Sequence, residues 1–408
     1  MRTVLTAPAV ARLALGWAAV AALLVGHDAF AGTLATPVLF AVLAGIVAVV
    51  IVCAFGVVTQ AERLAHRLGD PYGTLVLTLS IVVIEVVLIS AVMLGPGDHA
   101  TIARDSVMAA TMIVLTLVTG LALLIGGLRH NVLRPNRAGV SAYLSLLVVL
   151  LAAAFALPAS LGVDGVYTPS QAIIVVALTV ALYGFFLFRQ TGAQADDFRE
   201  ITTRSCTPGT GTPSLGRRAA VPSAEDLDAA SRQPGPALQP PSRHAAPSRR
   251  GMLREHGPEI AARVGVLLAT VVPIVVVSHD MAGLLDDGLG RLGAPAAVSG
   301  VLIALIVFLP EGITTVRAAW AGETQRVSNL AHGALVSCVG LTLPAVLVIG
   351  LLTGQSVVLA ESPANLALLA VSLLLSLTTF SGPRVTALHG ATHLVVFALY
   401  GLAAFAPA

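Results

Sequence analysis

Phe308-Leu309-Pro310-Glu311-Gly312 lies inside an apolar run from about Val298 to Ala319. It puts a carboxylate, a helix breaker and a glycine where a lipid-facing helix would carry Leu or Val. An ionisable side chain at the bilayer centre costs roughly 2.5–3.5 kcal/mol on insertion scales, so one that stays there usually has a function. A second lone acid, Glu85, sits in the apolar run Leu75–Leu94. The reading of the whole chain turns on these two glutamates.

The composition around them is that of a membrane protein. Hydrophobic residues make up 56% and charged residues 11% of the 408, and the mean hydropathy is +0.90. No soluble domain of this length has that balance, so the expected fold class is an all-α polytopic membrane protein. Cys53, Cys206 and Cys338 are far apart and lack CxxC spacing, so no disulfide framework or zinc site follows. There is no GxxxxGK[ST] loop and no GxSxG elbow. His389 and His393 share a helical face but lack the glutamate of HExxH. The chain is therefore not expected to be an enzyme, to carry a resident cofactor or to bind nucleic acid. For the two histidines, a pH-sensing or relay role and plain packing both stay open.

Apolar spans of about 20 residues run at roughly 34–58, 73–95, 106–128, 139–157 and 170–188. More follow at 259–279, 295–317, 329–353, 363–380 and 387–406. An N-terminal run precedes them. Ala29-Phe30-Ala31 resembles a small-residue cleavage site, but the next span begins almost at once, so a retained first helix is expected. Residues 190–258, rich in Pro, Ser, Arg and Gly, read as a disordered linker. The expected organisation is an N-terminal helix (1–33), five helices (34–189), the linker (190–258) and five more helices (259–408), eleven in all.

Arginine placement gives the orientation. With the N-terminus inside, the short inner segments hold Arg2, Arg12, Arg63, Arg67, Arg129, Arg134, Arg137, Arg317, Arg326 and Arg384. The outer loops hold only Arg104 and Arg291, with Asp98, Asp164, Asp286, Asp287 and Glu361. The linker then falls in the cytoplasm. An odd-numbered unit must re-enter the membrane inverted, which predicts two inverted-topology repeats. Leu68-Gly69-Asp70-Pro71 precedes the helix of Glu85, and Leu292-Gly293-Ala294-Pro295 precedes that of Glu311. Each glutamate thus falls on the second helix of its five.

A lone buried carboxylate holds either a proton or a cation, in competition, because desolvation favours the first and a bound cation displaces it. That competition is the physical core of cation/proton exchange. Thr78 lies two turns before Glu85 on a similar face. Pro310 and Gly312 loosen the helix around Glu311 and free carbonyls that suit a hard cation. Thr314 and Thr315 follow one turn on. Glu311 lies off-centre in its expected span, so a shared site requires that helix to be broken or tilted at Pro310. Asn329, His332 and Ser337 are accessory candidates for a polar path, with helix–helix packing as the equal alternative.

These residues resemble a known family. Gly69-Asp70-Pro71-Tyr72-Gly73-Thr74-Leu75, running to Ile84-Glu85-Val86, is similar to the first repeat of the bacterial ChaA-type calcium/proton and sodium-potassium/proton antiporters. Pro310-Glu311-Gly312, Arg317-Ala318-Ala319, Gln325-Arg326, Asn329-Leu330 and Gly340-Leu341-Thr342-Leu343-Pro344-Ala345-Val346 are similar to the second, as is Ala391-Thr392-His393-Leu394. These antiporters belong to the cation/calcium exchanger superfamily. The resemblance implies one essential acid per repeat, matching Glu85 and Glu311, with the two meeting at the membrane centre. It also implies outward cation transport against inward protons. Two departures stand out. Gly333-Ala334 replaces a serine-bearing element, and the acids of the linker are scattered among arginines.

The expectation is an inner-membrane antiporter, N-terminus cytoplasmic, exchanging Ca²⁺, with Na⁺ and K⁺ as further candidates, for external protons at Glu85 and Glu311. Its partners are inorganic cations, protons and the lipid bilayer. A Na⁺(K⁺)/H⁺ antiporter with little Ca²⁺ transport and a passive cation channel are the alternatives. The cation preference, stoichiometry and oligomeric state stay open.

Overall fold

A computed structural model describes residues 5–30, 34–68, 79, 82–83, 85–86, 89–90, 93, 100–198, 249–294, 297–382 and 384–405. The chain forms two compact units, Met1–Ile201 with Glu259–Ala408, and Thr202–Pro258. Of the second unit, the described part is the helical stretch 249–258. The expected linker is otherwise outside the described residues from 199 to 248, as are Asp70, Pro71, Thr78 and Pro295.

Ten helices among the described residues are long and apolar enough to cross a membrane. They are α1 (Ala7–Phe30), α2 (Thr36–Leu68), α3 (Ile102–His130), α4 (Arg137–Leu161), α5 (Pro169–Thr191), α6 (Arg249–Arg291), α7 (Ala297–Ala321), α8 (Thr324–Thr353), α9 (Pro363–Ser381) and α10 (Ala387–Ala404). Helix is the forced choice for such runs, because hydrocarbon offers no partner for an open backbone. Between α2 and α3, the described residues from Leu79 to Met93 are also helical. There Val82, Glu85, Ile89 and Met93 are buried, while Leu79 and Val83 are exposed. That is a helix with one face turned to the protein.

Several helices run past the spans expected from hydropathy. Helix α2 continues to Leu68, and α3 starts at Ile102, so Arg104 and Asp105 lie in its first turn rather than in a loop. Helix α6 extends to Arg291, which puts Asp287 on a helix. Hydropathy reads the width of the hydrocarbon slab, whereas backbone hydrogen bonding ends where a cap ends it. The caps are visible. Asn136 Oδ1 accepts from Ala138 N at 3.2 Å before α4, and Ser362 Oγ accepts from Asn365 N at 3.2 Å before α9. Gly354, at φ +73°, closes α8 in a left-handed turn.

Helix packing is reciprocal between the two halves of the chain. Helix α5 packs on α8 and α10 packs on α3, while α4 packs on α9. Helix α7 lies against α2 and α3. One apolar core joins α3, α4, α5, α8, α9 and α10 with Val82, Ile89 and Met93. A second joins α1, α2, α6 and α7. Large apolar side chains such as Ile174, Leu178, Phe188, Leu352, Leu388 and Leu402 face outward. That suits a lipid surround, where outward apolar groups cost nothing.

Among the described residues, three helices carry a π-helical turn: Ile113–Val118 in α3, Ala152–Ala156 in α4 and Asn329–Gly333 in α8. Such a turn breaks the regular ladder and frees carbonyls, and here they find partners. Leu115 O accepts from His393 Nδ1 at 2.8 Å, and Val114 O accepts from Thr119 Oγ1 at 2.8 Å. In α4, Ala153 O accepts from Tyr167 Oη at 2.7 Å, and Phe155 O accepts from Glu361 N at 3.3 Å.

The segment between α8 and α9 forms an extended strap. Val358 N donates to Ala100 O at 2.9 Å, and Leu359 N donates to Gly165 O at 3.0 Å. Arg104 Nη1 donates to Ala360 O at 3.2 Å. At the other end, the Arg129 guanidinium stacks 4.2 Å above the Trp320 ring, and His130 Nε2 donates to Trp320 O at 3.1 Å. That clamps the ends of α3 and α7 together.

Candidate functional site

Helix α7 is continuous through Pro310, and Glu311 falls near its middle. Of the break or tilt that an off-centre Glu311 called for, no break is present, and the helix runs on to Ala321, which re-centres the carboxylate. The proline deprives the Ile306 carbonyl of its ladder donor, while the carbonyls just past it take threonine hydroxyls. Here Thr314 Oγ1 donates to Pro310 O at 3.0 Å, and Thr315 Oγ1 donates to Glu311 O at 2.8 Å. Both hydroxyls therefore turn back onto their own helix.

Glu85 is 3% and Glu311 4% exposed. The two carboxylates lie within electrostatic reach of each other, and both reach the Cys338 thiol. Glu85 Oε1 accepts from Cys338 Sγ at 2.8 Å. Glu85 Oε2 and Glu311 Oε2 are buried with no hydrogen-bond partner among the described residues. Buried carboxylate oxygens left without donors are costly unless a proton or a cation meets them. Three segments thus converge here: the Glu85 helix, α7 and α8.

The accessory candidates divide. Asn329 is fastened rather than exposed to a path. Its Oδ1 accepts from Gln325 Nε2 at 3.0 Å and from Tyr143 Oη at 3.3 Å, and its Nδ2 donates to Phe198 O at 2.7 Å. Tyr143 Oη in turn accepts from Gln190 Nε2 at 3.0 Å, and Gln325 Oε1 accepts from Asn136 N at 2.9 Å. Residues 190 and 195–198, expected as linker, thus pack into this network, with Phe198 edge-on to Tyr143 at 5.0 Å. Ser337 Oγ donates to Gly333 O at 3.0 Å. His332 is fully buried, with Nδ1 3.2 Å from Ser328 Oγ and its ring edge-on to Phe380 at 4.9 Å. Its Nε2 has no hydrogen-bond partner among the described residues.

The two late histidines meet different partners. His393 Nδ1 carries a proton, since the Leu115 carbonyl it meets can only accept, and its Nε2 lies 3.2 Å from Thr379 Oγ1. His389 instead sits in the first turn of α10, where its Nδ1 accepts from Thr386 N at 3.2 Å. It is a helix-capping group.

Cys338 escaped the sequence reading, which weighed cysteines only for disulfides and metals. The signal was a polar run, Ser337-Cys338 with Thr342 one turn on, inside an otherwise apolar helix.

A family model described as sodium/calcium exchanger protein matches residues 38–192. The chain is 33% identical over 356 residues to the putative ionic transporter y4hA of Sinorhizobium fredii, across 86% of this chain and 85% of that one. It is 32% identical over 358 residues to the sodium-potassium/proton antiporter ChaA of Escherichia coli, across 86% of each. Among solved structures, YfkE superposes with a TM-score of 0.62 at 15% identity, covering 96% of this chain and 98% of that one. The H⁺/Ca²⁺ exchanger CAX gives 0.61 at 13%, covering 98% and 88%. At those identities the likeness to the two structures is one of fold.

Proposed function

The chain belongs to the cation/calcium exchanger superfamily, with the ChaA-type antiporters, and on that premise we propose that it is a secondary antiporter moving a metal cation out of the cytoplasm against protons. The observation that carries the reading is the pair of buried carboxylates, Glu85 and Glu311, each with an oxygen that has no hydrogen-bond partner among the described residues. Protons arriving from outside neutralise the pair and release the cation. Loss of those protons toward the cytoplasm restores two charges for the next cation.

Two negative charges match one Ca²⁺, whereas Na⁺ or K⁺ leaves one charge for a proton. The reciprocal packing of α5 on α8 and α10 on α3 supports two inverted repeats. Such repeats allow alternating access by rocking one half against the other. The arginine distribution supports an inner-membrane protein with a cytoplasmic N-terminus. The name of the Escherichia coli relative, a sodium-potassium/proton antiporter, favours a second reading, monovalent exchange with little Ca²⁺ transport at the same two carboxylates.

The test is decay of an imposed pH gradient in everted membrane vesicles, with CaCl₂, NaCl and KCl added separately. Glu85→Gln and Glu311→Gln should each lower exchange at least about 100-fold, in keeping with loss of an essential charge, while inserting normally. Near-normal exchange by both variants, or cation flux with no proton counterflow, overturns the proposal.

A further inference from the structure

Cys338 is buried on α8, and its thiol donates across the helix interface to Glu85 Oε1 at 2.8 Å. Glu85 Oε2 and Glu311 Oε2 then have no hydrogen-bond partner among the described residues. Both acids lie within electrostatic reach of the same sulfur. A neutral thiol is a poor ligand for hard cations such as Ca²⁺, Na⁺ or K⁺, which take oxygen. Its value at such a site is as a donor that fixes how the neighbouring carboxylate points.

We propose that Cys338 is a positioning residue of the cation site: its S–H pins Glu85 Oε1 and so presents Oε2 to the cation. The inference rests on the two-glutamate reading above. A carboxylate on a flexible side chain must be ordered before it can coordinate, and a partner on another helix removes that cost beforehand. Partners of this kind are commonly worth 10–100-fold in metal affinity. The contact also links the Glu85 helix to α8, so the orientation of the acid follows the packing of those two helices.

The experiment compares Cys338→Ala and Cys338→Val, which lack a donor, with Cys338→Ser, which keeps one. The readout is the cation concentration giving half-maximal exchange in vesicles, taken separately from the maximal rate, with Ca²⁺, Na⁺ and K⁺ as probes. The donor-less variants should raise the half-maximal concentration about 10-fold or more, with the maximal rate changed much less. Serine should recover most of that shift. A purely structural cysteine predicts the opposite: lower protein yield or maximal rate, an unmoved half-maximal concentration, and serine no better than alanine. That outcome overturns the inference. If alanine fails to accumulate, valine still gives the reading, because it fills the sulfur's space without a donor. Should Glu85→Gln and Glu311→Gln abolish exchange while the cysteine variants leave the half-maximal concentration unmoved, this inference fails and the two-glutamate reading stands. Normal exchange in both glutamine variants removes the premise instead.

Discussion

Gly120 on α3 and Gly390 on α10 meet backbone to backbone. A Cβ on Gly390 would stand 2.6 Å from Gly120 O and would overlap Leu124 N, and one on Gly120 would stand 3.1 Å from Gly390 O. Small residues are what allow membrane helices to approach this closely. The atoms in the way are backbone, which cannot rotate aside. Gly390→Ala should therefore destabilise the protein by roughly 1–3 kcal/mol or more, as overpacking does. Thermal melting in detergent reads the loss. Gly401→Ala on the same helix meets nothing within 4 Å and should leave the melting temperature unchanged.

Asn329 holds a junction of three partners, Tyr143, Gln325 and Phe198. Asn329→Ala strands the Phe198 carbonyl and removes the acceptor of the Tyr143 hydroxyl in a buried setting. Each stranded group costs about 1–3 kcal/mol. The expected result is a lower melting temperature together with faster amide hydrogen exchange across 195–198, because Phe198 loses its tie to α8. An unchanged exchange rate there would contradict the junction's role.

His389 accepts from Thr386 N at the start of α10, away from either glutamate in the hydrogen-bond network. His389→Ala should cost about 0.5–1.5 kcal/mol, the worth of one ordinary hydrogen bond. It should leave the pH dependence of exchange where it was. A displaced pH profile in vesicles would return this histidine to the proton path.

Glu361 sits on the strap, where Asn365 Nδ2 donates to it at 2.9 Å, Ser362 N donates to it at 3.0 Å and the Arg104 Nε lies 3.9 Å away. Burial raises its carboxyl above the usual range, and Asn365, Arg104 and the Ser362 N–H offset part of that rise, with Asp105 adding to it. A carboxyl with a raised folded-state pKa binds more protons folded than unfolded. Its stabilising contribution is present below the unfolded pKa and is lost as pH rises through the folded one. The wild type should therefore melt lower above this window than below it, and Glu361→Gln, which cannot ionise, should flatten that difference. Melting curves taken from the usual carboxylate range up to neutral pH measure it.

The two glutamates were legible because a charge inside an apolar run stands out against its neighbours. The helix type and most of the spans were legible for the same reason. What escaped was set by contacts between distant segments. Cys338 touches Glu85 across 253 positions of sequence, and no periodicity reports that. For Asn329 the sequence left a polar path and helix packing both open, because it shows that the residue is polar and not which carbonyl it meets. His389 and His393 share a spacing that promised a common face, yet one caps the helix and the other reaches into α3. Pro310 suggested a helix broken or tilted there, whereas the helix runs on through it to Ala321.

The π-helical turn at Ile113–Val118 carries a consequence for chain length. It accommodates one residue more than the regular ladder, and each residue turns an α-helix by about 100°. Deleting one residue there would let the ladder close with the downstream faces of α3 kept, whereas a deletion in its regular turns would swing one side of the helix against the other by about that angle. In the first case Gly120 and Gly127 would stay on the surface of α10, but the carbonyl of Leu115 would return to the ladder and give up His393. The hydropathy profile would barely register the change. Of the ten spans, α3 is the most deeply buried, and its length should tolerate the loss of a residue at this turn far better than anywhere in its regular helix.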